Sequence, residues 1–266
     1  MRLLTLISAL WLCLLSVSPG YSQNTTNVIN LAGTWHFRMD PGNQGIQNKW
    51  YEKKLNNTIH LPGSMVQNGK GNPVTINTNW TGSIYDSSFY FDPRLAKYRK
   101  PDHPMFSFFL TPKKHYVGAA WYQKEVTIPQ SWNDRHIQLF LERAHWETQV
   151  WADGTEIGTA NSLSTPHVYD LSKVLTPGRH RITIRVDNSI KDVGINVGPD
   201  SHSLTDQTQG NWNGIIGRME LISRSQVWLS DIQVYPDIRH RTAEVKIRIK
   251  KSLTGHVNGN ITISAQ

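Results

Sequence analysis

Beyond residue 115 the chain alternates apolar and polar residues with a period of two, interrupted at short intervals by turn residues, and this restricts it to antiparallel β-structure. "WYQKEVTI", from Trp121 to Ile128, stops at Pro129, and "RHIQLFLERA" follows the polar turn "SWND". "WETQVWADGTEIGTA" contains Asp153-Gly154, a strong short-range hairpin signal because both positions tolerate positive φ. In "TPGRHRITIRVDN" Pro177-Gly178 turns the chain, Ile182, Ile184 and Val186 alternate with Thr183 and Arg185, and Asp187-Asn188 closes the strand. No stretch there keeps a helical period. The fold class predicted is all-β: an antiparallel sandwich. Gly33 and Trp35 are expected to open its first strand, and Trp35, Trp121 and Trp151 to fill its interior, since large rings bury the most area.

Residues 40 to 120 are less regular, yet rich in aromatics, as in "NPVTINTNWTGSIYDSSFYF" and "KYRKPDHPMFSFFLTPKKHYVG". Their aromatic content disfavours disorder, so they are expected to form ordered loops over one end of the sandwich. Beyond Arg224, "VWLSDIQVYP", "TAEVKIRIKK" and "GHVNGNITISAQ" read as three strands of a second sandwich. An immunoglobulin-like sandwich takes about 100 residues, so residues 225–266 are expected to be only its beginning.

The first residues, "MRLLTLISALWLCLLSVSPGYSQN", combine an early Arg2, an apolar run and small residues near Ser22. This reads as a secretory signal peptide over 1–22, with residues 23–224 forming the main domain and a periplasmic or secreted destination expected. Cys13, the only cysteine, lies inside that leader, so disulfides, thiol chemistry and cysteine-bound zinc are not expected. No later segment is apolar enough for a membrane-spanning helix. The formal charge is +8. In "EVKIRIK", however, cations alternate with Val245, Ile247 and Ile249 as on the wet face of a strand, and no nucleic-acid recognition motif is present.

The densest polar constellation is "TQGNWNGIIGR" with its approach. Asp206, Gln209, Asn211, Trp212 and Asn213 fall close together, and Gly210 and Gly214 allow sharp backbone turns. A sugar offers CH faces to aromatic rings and hydroxyls to paired donors and acceptors, which this mixture supplies. The same residues also suit a polar turn. His115 and Tyr116, just before "AAWYQKEV", are further candidates for the same cleft. Asp200, His202 and Asp206 are spaced neither as a helical metal pair nor as a carboxylate cage, so no metal or other cofactor is expected. A nucleophile elbow, a phosphate-cradling glycine loop and a His-Glu-x-x-His motif are missing.

In their order, "LAGTWHF", "AAWYQKEVTIP", "IQLFLERAHWETQVWADGTEIGTA", "YDLSKVLTPGRHRITIRVDN" and "NWNGIIGRMELI" resemble the amino-terminal sugar-binding domain of glycoside hydrolase family 2. That is the family of β-galactosidases, β-glucuronidases and β-mannosidases. The resemblance implies a jelly-roll sandwich, then an immunoglobulin-like sandwich, then a catalytic barrel, with β-glycosides as ligands. It places the 206–213 loop before the family's Gly-Ile-x-Arg strand, where the first domain helps bind the terminal sugar; "GIIGR" is one residue longer than that pattern. It also places the two catalytic glutamates on the barrel. Glu52, Glu125, Glu142, Glu147, Glu156, Glu220 and Glu244 lie instead in charged strand patterns, and no βα alternation for a barrel is found. The expected function is the sugar-binding part of an exported glycosidase whose catalytic pair lies elsewhere. The alternatives are a free-standing lectin-like module and a structural sandwich docking to a separately encoded catalytic chain.

Overall fold

The computed structural model describes residues 27–82, 86–101, 103–106, 109–191, 204–206 and 209–263. The chain forms β1 (Val28–Asn30), β2 (Gly33–Asp40), β3 (Asn57–Leu61), β4 (Gly63–Ser64) and β5 (Asn72–Pro73), then one helical turn over Ser88–Phe91 and a 3-10 turn over Pro93–Tyr98. It continues with β6 (Lys114–His115), β7 (Ala119–Ile128), β8 (His136–His145), β9 (Glu147–Ala152), β10 (Thr155–Asn161), β11 (His167–Asp170), β12 (Gly178–Asp187) and β13 (Gly214–Arg224). Two antiparallel sheets result. One runs β1-β13-β8-β11 with β4 added to β13, the other β10-β9-β12-β7-β2-β3. Successive strands from β10 to β13 change sheet at each step, the winding of a jelly roll. The interior between the sheets is one apolar layer that includes Trp35, Phe37, Tyr122, Leu139, Leu141, Ile184 and Leu221.

The Asp153-Gly154 hairpin forms as its sequence predicts, with φ of 49° and 83° at the two turn residues and Thr155 opposite Ala152. The tryptophans divide. Trp35 enters the main core, whereas Trp121 and Trp151 pack with Trp50 and Leu55 on the outer face of the second sheet. That face is roofed by residues 41–55. The Asp40 carboxylate accepts from the N–H groups of Gln44 and Gly45 and from Trp121 Nε1, at 2.8, 2.8 and 2.9 Å. Gln123 accepts from Leu55 N and donates to the carbonyls of Trp50 and Lys53. β7 is therefore covered on both sides, which explains why its first five residues are all buried.

The described residues between 72 and 115 build a lobe with its own small core, in which Phe89, Phe106 and Phe109 pack with Val74, Trp80, Leu95 and Tyr98. Trp80 stands edge-on to Phe106 at 4.9 Å and lies against Phe109 at 4.8 Å. This aromatic burial supplies the order expected of the segment.

After β13 ends at Arg224, β14 (Val227–Asp237) and β15 (Thr242–Lys251) form a two-stranded ribbon that pairs with neither sheet. Ile232 pairs with Ile247 and Val234 with Val245 on one face, while Asp231 pairs with Arg248 and Gln233 with Lys246 on the other. The third strand expected from "GHVNGNITISAQ" does not form among the described residues: 256–263 carry no ladder and are exposed. Alternation marks only a candidate strand, and a strand exists only by pairing, which residues 256–263 do not do with the open edges of the β14–β15 ribbon.

The ribbon is tied to the sandwich by Trp228, stacked on His136 with centroids 4.2 Å apart. His136 Nδ1 lies 2.9 Å from Ser172 Oγ, whose hydroxyl donates to Asp170; its buried Nε2 has no partner. Burial lowers the His136 pKa below the ordinary imidazole value; Asp170 opposes this, and Arg224 and Lys250 reinforce it. Folding thus favours the neutral ring. This contribution to stability is complete above the unfolded pKa and lost as pH falls through the depressed folded value. Limited proteolysis followed by mass spectrometry should remove residues beyond Arg224 first, and faster in mildly acidic than in neutral buffer. Equal rates would deny the His136–Trp228 contact this role.

Candidate functional site

The loops at one end of the sandwich are joined by a single buried hydrogen-bond network. Asp206, fully buried, is its centre. Its carboxylate accepts from Thr81 N at 2.7 Å and Asn211 N at 2.8 Å, and stands 3.0 Å from His115 Nε2. Its backbone N–H donates to the Thr81 carbonyl, and its own carbonyl accepts from Leu110 N. One side chain with its backbone thus joins segments around residues 81, 110–115 and 211. Two backbone donors and the neighbouring imidazole fix the carboxylate geometrically.

Asn211 and Asn213 continue the network. Asn211 Nδ2 donates to the carbonyl of Asn188 and to Thr81 Oγ1, while its Oδ1 accepts from Asn188 Nδ2 at 2.8 Å. Asn213 Nδ2 donates to the carbonyls of Gly118 and Val186, and its Oδ1 accepts from the Tyr122 hydroxyl at 2.7 Å. Asn188 donates to the Tyr116 carbonyl and accepts from Gly118 N. The Tyr116 hydroxyl accepts from Asp40 N and donates to the Ala119 carbonyl. Burial pushes the Tyr116 and Tyr122 phenols well above their ordinary pKa, so both remain neutral donors.

Beside the network, Arg185 reaches Asp187 and Asn43 at 2.8 Å each, and Lys191 pairs with Glu147 and Asp187. Burial raises the Asp187 carboxyl, but hydrogen bonds from Ser189 together with Arg185 and Lys191 bring it below the ordinary carboxylate value. These charges fix the start of β9 and the end of β12.

The residues singled out in the sequence therefore fall into two groups. Asp206, Asn211, Asn213, His115 and Tyr116 are buried and brought together, with their polar atoms committed to one another and to the backbone. Trp212 and Gln209 lie nearer the surface, Trp212 half-buried and Gln209 exposed. Trp212 stacks on His145 at 4.7 Å, and the His145 Nδ1 donates to the Trp212 carbonyl at 2.7 Å. Asp200 and His202 lie outside the described residues. No group of three or more metal-ligating side chains occurs among the described residues.

His115 and Tyr116 contribute to the wall of a hollow of about 290 Å³ whose other polar lining is Asn72, Thr75, Asn77, Thr78 and Asn79. Thr75 and Thr78 hold the loop's shape: Thr78 Oγ1 accepts from Thr75 N, and Thr75 Oγ1 from Asn77 N. Asn72, Asn77 and Asn79 bring three amides to the lining, beside the hydroxyl-bearing Thr75 and Thr78. Asp206, behind His115, orients the imidazole. The hollow-forming asparagines were not singled out from sequence as site residues, and Asn188 was read only as the end of a strand; for the hollow, the repetition of Asn and Thr in "GNPVTINTNWTG" was the available signal.

Residues 28–225 match the family described as "Glycosyl hydrolases family 2, sugar binding domain". The chain belongs to glycoside hydrolase family 2. Among its curated relatives, a β-glucuronidase of Paenibacillus borealis is 22% identical over 86% of this chain and 34% of the relative. The β-galactosidase large subunit of Lactobacillus acidophilus is 25% identical over 89% of this chain and 36% of its own length. Among solved structures, the β-glucuronidase of Ruminococcus gnavus superposes with a TM-score of 0.57 at 16% identity, covering 85% of this chain and 33% of that one, a likeness of fold. The family 2 chain described here spans about a third of the length of these relatives.

Proposed function

We propose that the chain is the sugar-binding part of an exported family 2 β-glycosidase, receiving a sugar at the end of the sandwich where the Asp206 network, the hollow and Trp212 are joined. The observation that carries this reading is that network: it spends the buried amides and carboxylate on holding loops, backs a hollow lined by Asn72, Asn77 and Asn79, and carries the half-buried Trp212 between Asn211 and Asn213. Amides recognise sugar hydroxyls as paired donors and acceptors, and an indole face suits the CH face of a pyranose. The names of the relatives, a β-glucuronidase and a β-galactosidase, support a β-glycoside as the ligand.

The reading assigns bond cleavage to carboxylates outside these residues. Glu125 pairs with Arg179, Glu142 with Arg218, Glu147 with Lys191, Glu52 with Lys49 and Glu244 with Lys246. The hydrogen bond from Arg179 holds Glu125 below the ordinary glutamate value, and those from the Arg218 backbone and guanidinium do the same for Glu142. A proton donor to a leaving group needs the opposite shift. The leader-like residues 1–22 support export.

Titration of the purified chain with methyl β-D-galactoside and methyl β-D-glucuronide, followed by NMR, tests the site. Asn77→Ala and Trp212→Ala should each weaken binding about three- to tenfold, the scale of one lost hydrogen bond or ring contact, with thermal unfolding little changed. Absence of binding, or affinity untouched by both substitutions, would refute the assignment.

A further inference from the structure

Beside the hollow lies a second depression of different chemistry, a groove of about 700 Å³ walled mainly by Pro73, Val74, Pro104, Met105, Phe106 and Pro112, with His103, Thr111 and Lys113 completing the lining. Pro73 lines both spaces, so the two share a wall. The pairing of β5 with β6, Asn72 opposite His115 and Pro73 opposite Lys114, fixes this shared wall. We infer that the groove takes the apolar aglycone of the glycoside whose sugar enters the hollow, favouring aryl and bulky alkyl glycosides over simple ones.

Three features argue for a small apolar occupant. The wall is prearranged: Phe106 is 5% exposed and held by Phe89 and Trp80 at 4.7 and 4.9 Å, and three prolines have fixed φ, so little freedom is lost when a ligand enters. Met105, by contrast, is 58% exposed, a flexible apolar side chain able to close over a flat ring. Size separates the two spaces as well. The hollow lies near the lower limit of ligand pockets and is polar, whereas the groove has the volume of a drug-sized apolar group. A ligand bridging Pro73 must therefore be polar at one end and apolar at the other, which describes a glycoside with a hydrophobic aglycone.

This inference rests on the hollow being the sugar site, and its test separates the two. The purified chain is titrated with 2-naphthyl and methyl β-D-galactoside and β-D-glucuronide while the Met105 methyl resonance is observed. For a sugar that binds, the naphthyl compound should bind about tenfold more tightly than the methyl compound, the scale of one buried ring edge, and should shift the Met105 methyl signal. Met105→Asp, on an exposed side chain, should abolish that advantage and leave methyl-glycoside affinity unchanged. Methyl-glycoside binding with no naphthyl advantage overturns the groove assignment alone. A naphthyl advantage that survives Met105→Asp without a methyl shift overturns it too, leaving the groove to another occupant such as the face of a further domain. Failure of every glycoside to bind overturns the sugar site and the groove assignment together.

Discussion

Asp206→Ala is expected to cost about 3–5 kcal/mol of folding stability, because it strands two backbone donors and an imidazole in the interior at once. The carboxylate is fully buried and accepts from Thr81 N and Asn211 N, with His115 Nε2 at 3.0 Å. Domain stabilities are typically about 5–15 kcal/mol, so the variant should be marginal. Asp206→Asn keeps an acceptor and should lose less, but its amide must face one of these donors and clash in polarity with it. Urea unfolding of the three proteins measures the difference. A loss under about 1 kcal/mol for Asp206→Ala would mean that the loops are held by apolar contacts, such as Trp146 against Leu204, rather than by this carboxylate.

Gly214→Ala should be comparably severe for a different reason. Gly214 has φ +145°, and a Cβ there would lie 2.5 Å from the Gly63 carbonyl oxygen and 2.9 Å from Ser64 Cα, both backbone atoms of the paired strand. Neither can step aside without breaking the β4–β13 pairing or moving Asn213, whose carbonyl accepts from Met65 N. The expected loss is at least about 3 kcal/mol, a fall in Tm of roughly 6–12 °C for a domain of this size. Gly259→Ala, with nothing within 4 Å of the added carbon, is the matched control and should change Tm little. A Gly214→Ala protein that melts with the parent would show that β4 can part from β13 freely.

Much of the sandwich was legible because alternation and turn chemistry are local. Asp153-Gly154 specified its hairpin outright, and Ile182, Ile184 and Val186 are the buried series that their spacing indicates. Local pattern failed where burial came from distant chain. Trp121 and Trp151 read as core residues, yet their rings lie on the outer face of a sheet, buried by residues 41–55, whose attachment depends on Asp40 and Gln123. The alternation in residues 256–263 was legible too, but it carried no information about whether the segment would pair with the ribbon beside it.

The site shows the same division. "TDQTQGNWNG" was legible as an exceptional polar loop. What it could not disclose is that Asp206, Asn211 and Asn213 turn inward, because their partners Thr81, His115, Tyr122 and Asn188 are set by long-range closure. The hollow escaped notice for a related reason: Asn and Thr in "NPVTINTN" look like any solvated loop until β6 and His115 close its wall.

The most direct test of the account is to incubate the purified chain with 4-nitrophenyl β-D-galactoside and β-D-glucuronide, recording binding by NMR and 4-nitrophenol release by absorbance. The account predicts saturable binding of at least one glycoside with no release above buffer. Release that scales with protein and disappears in a glutamate variant of this chain would contradict it.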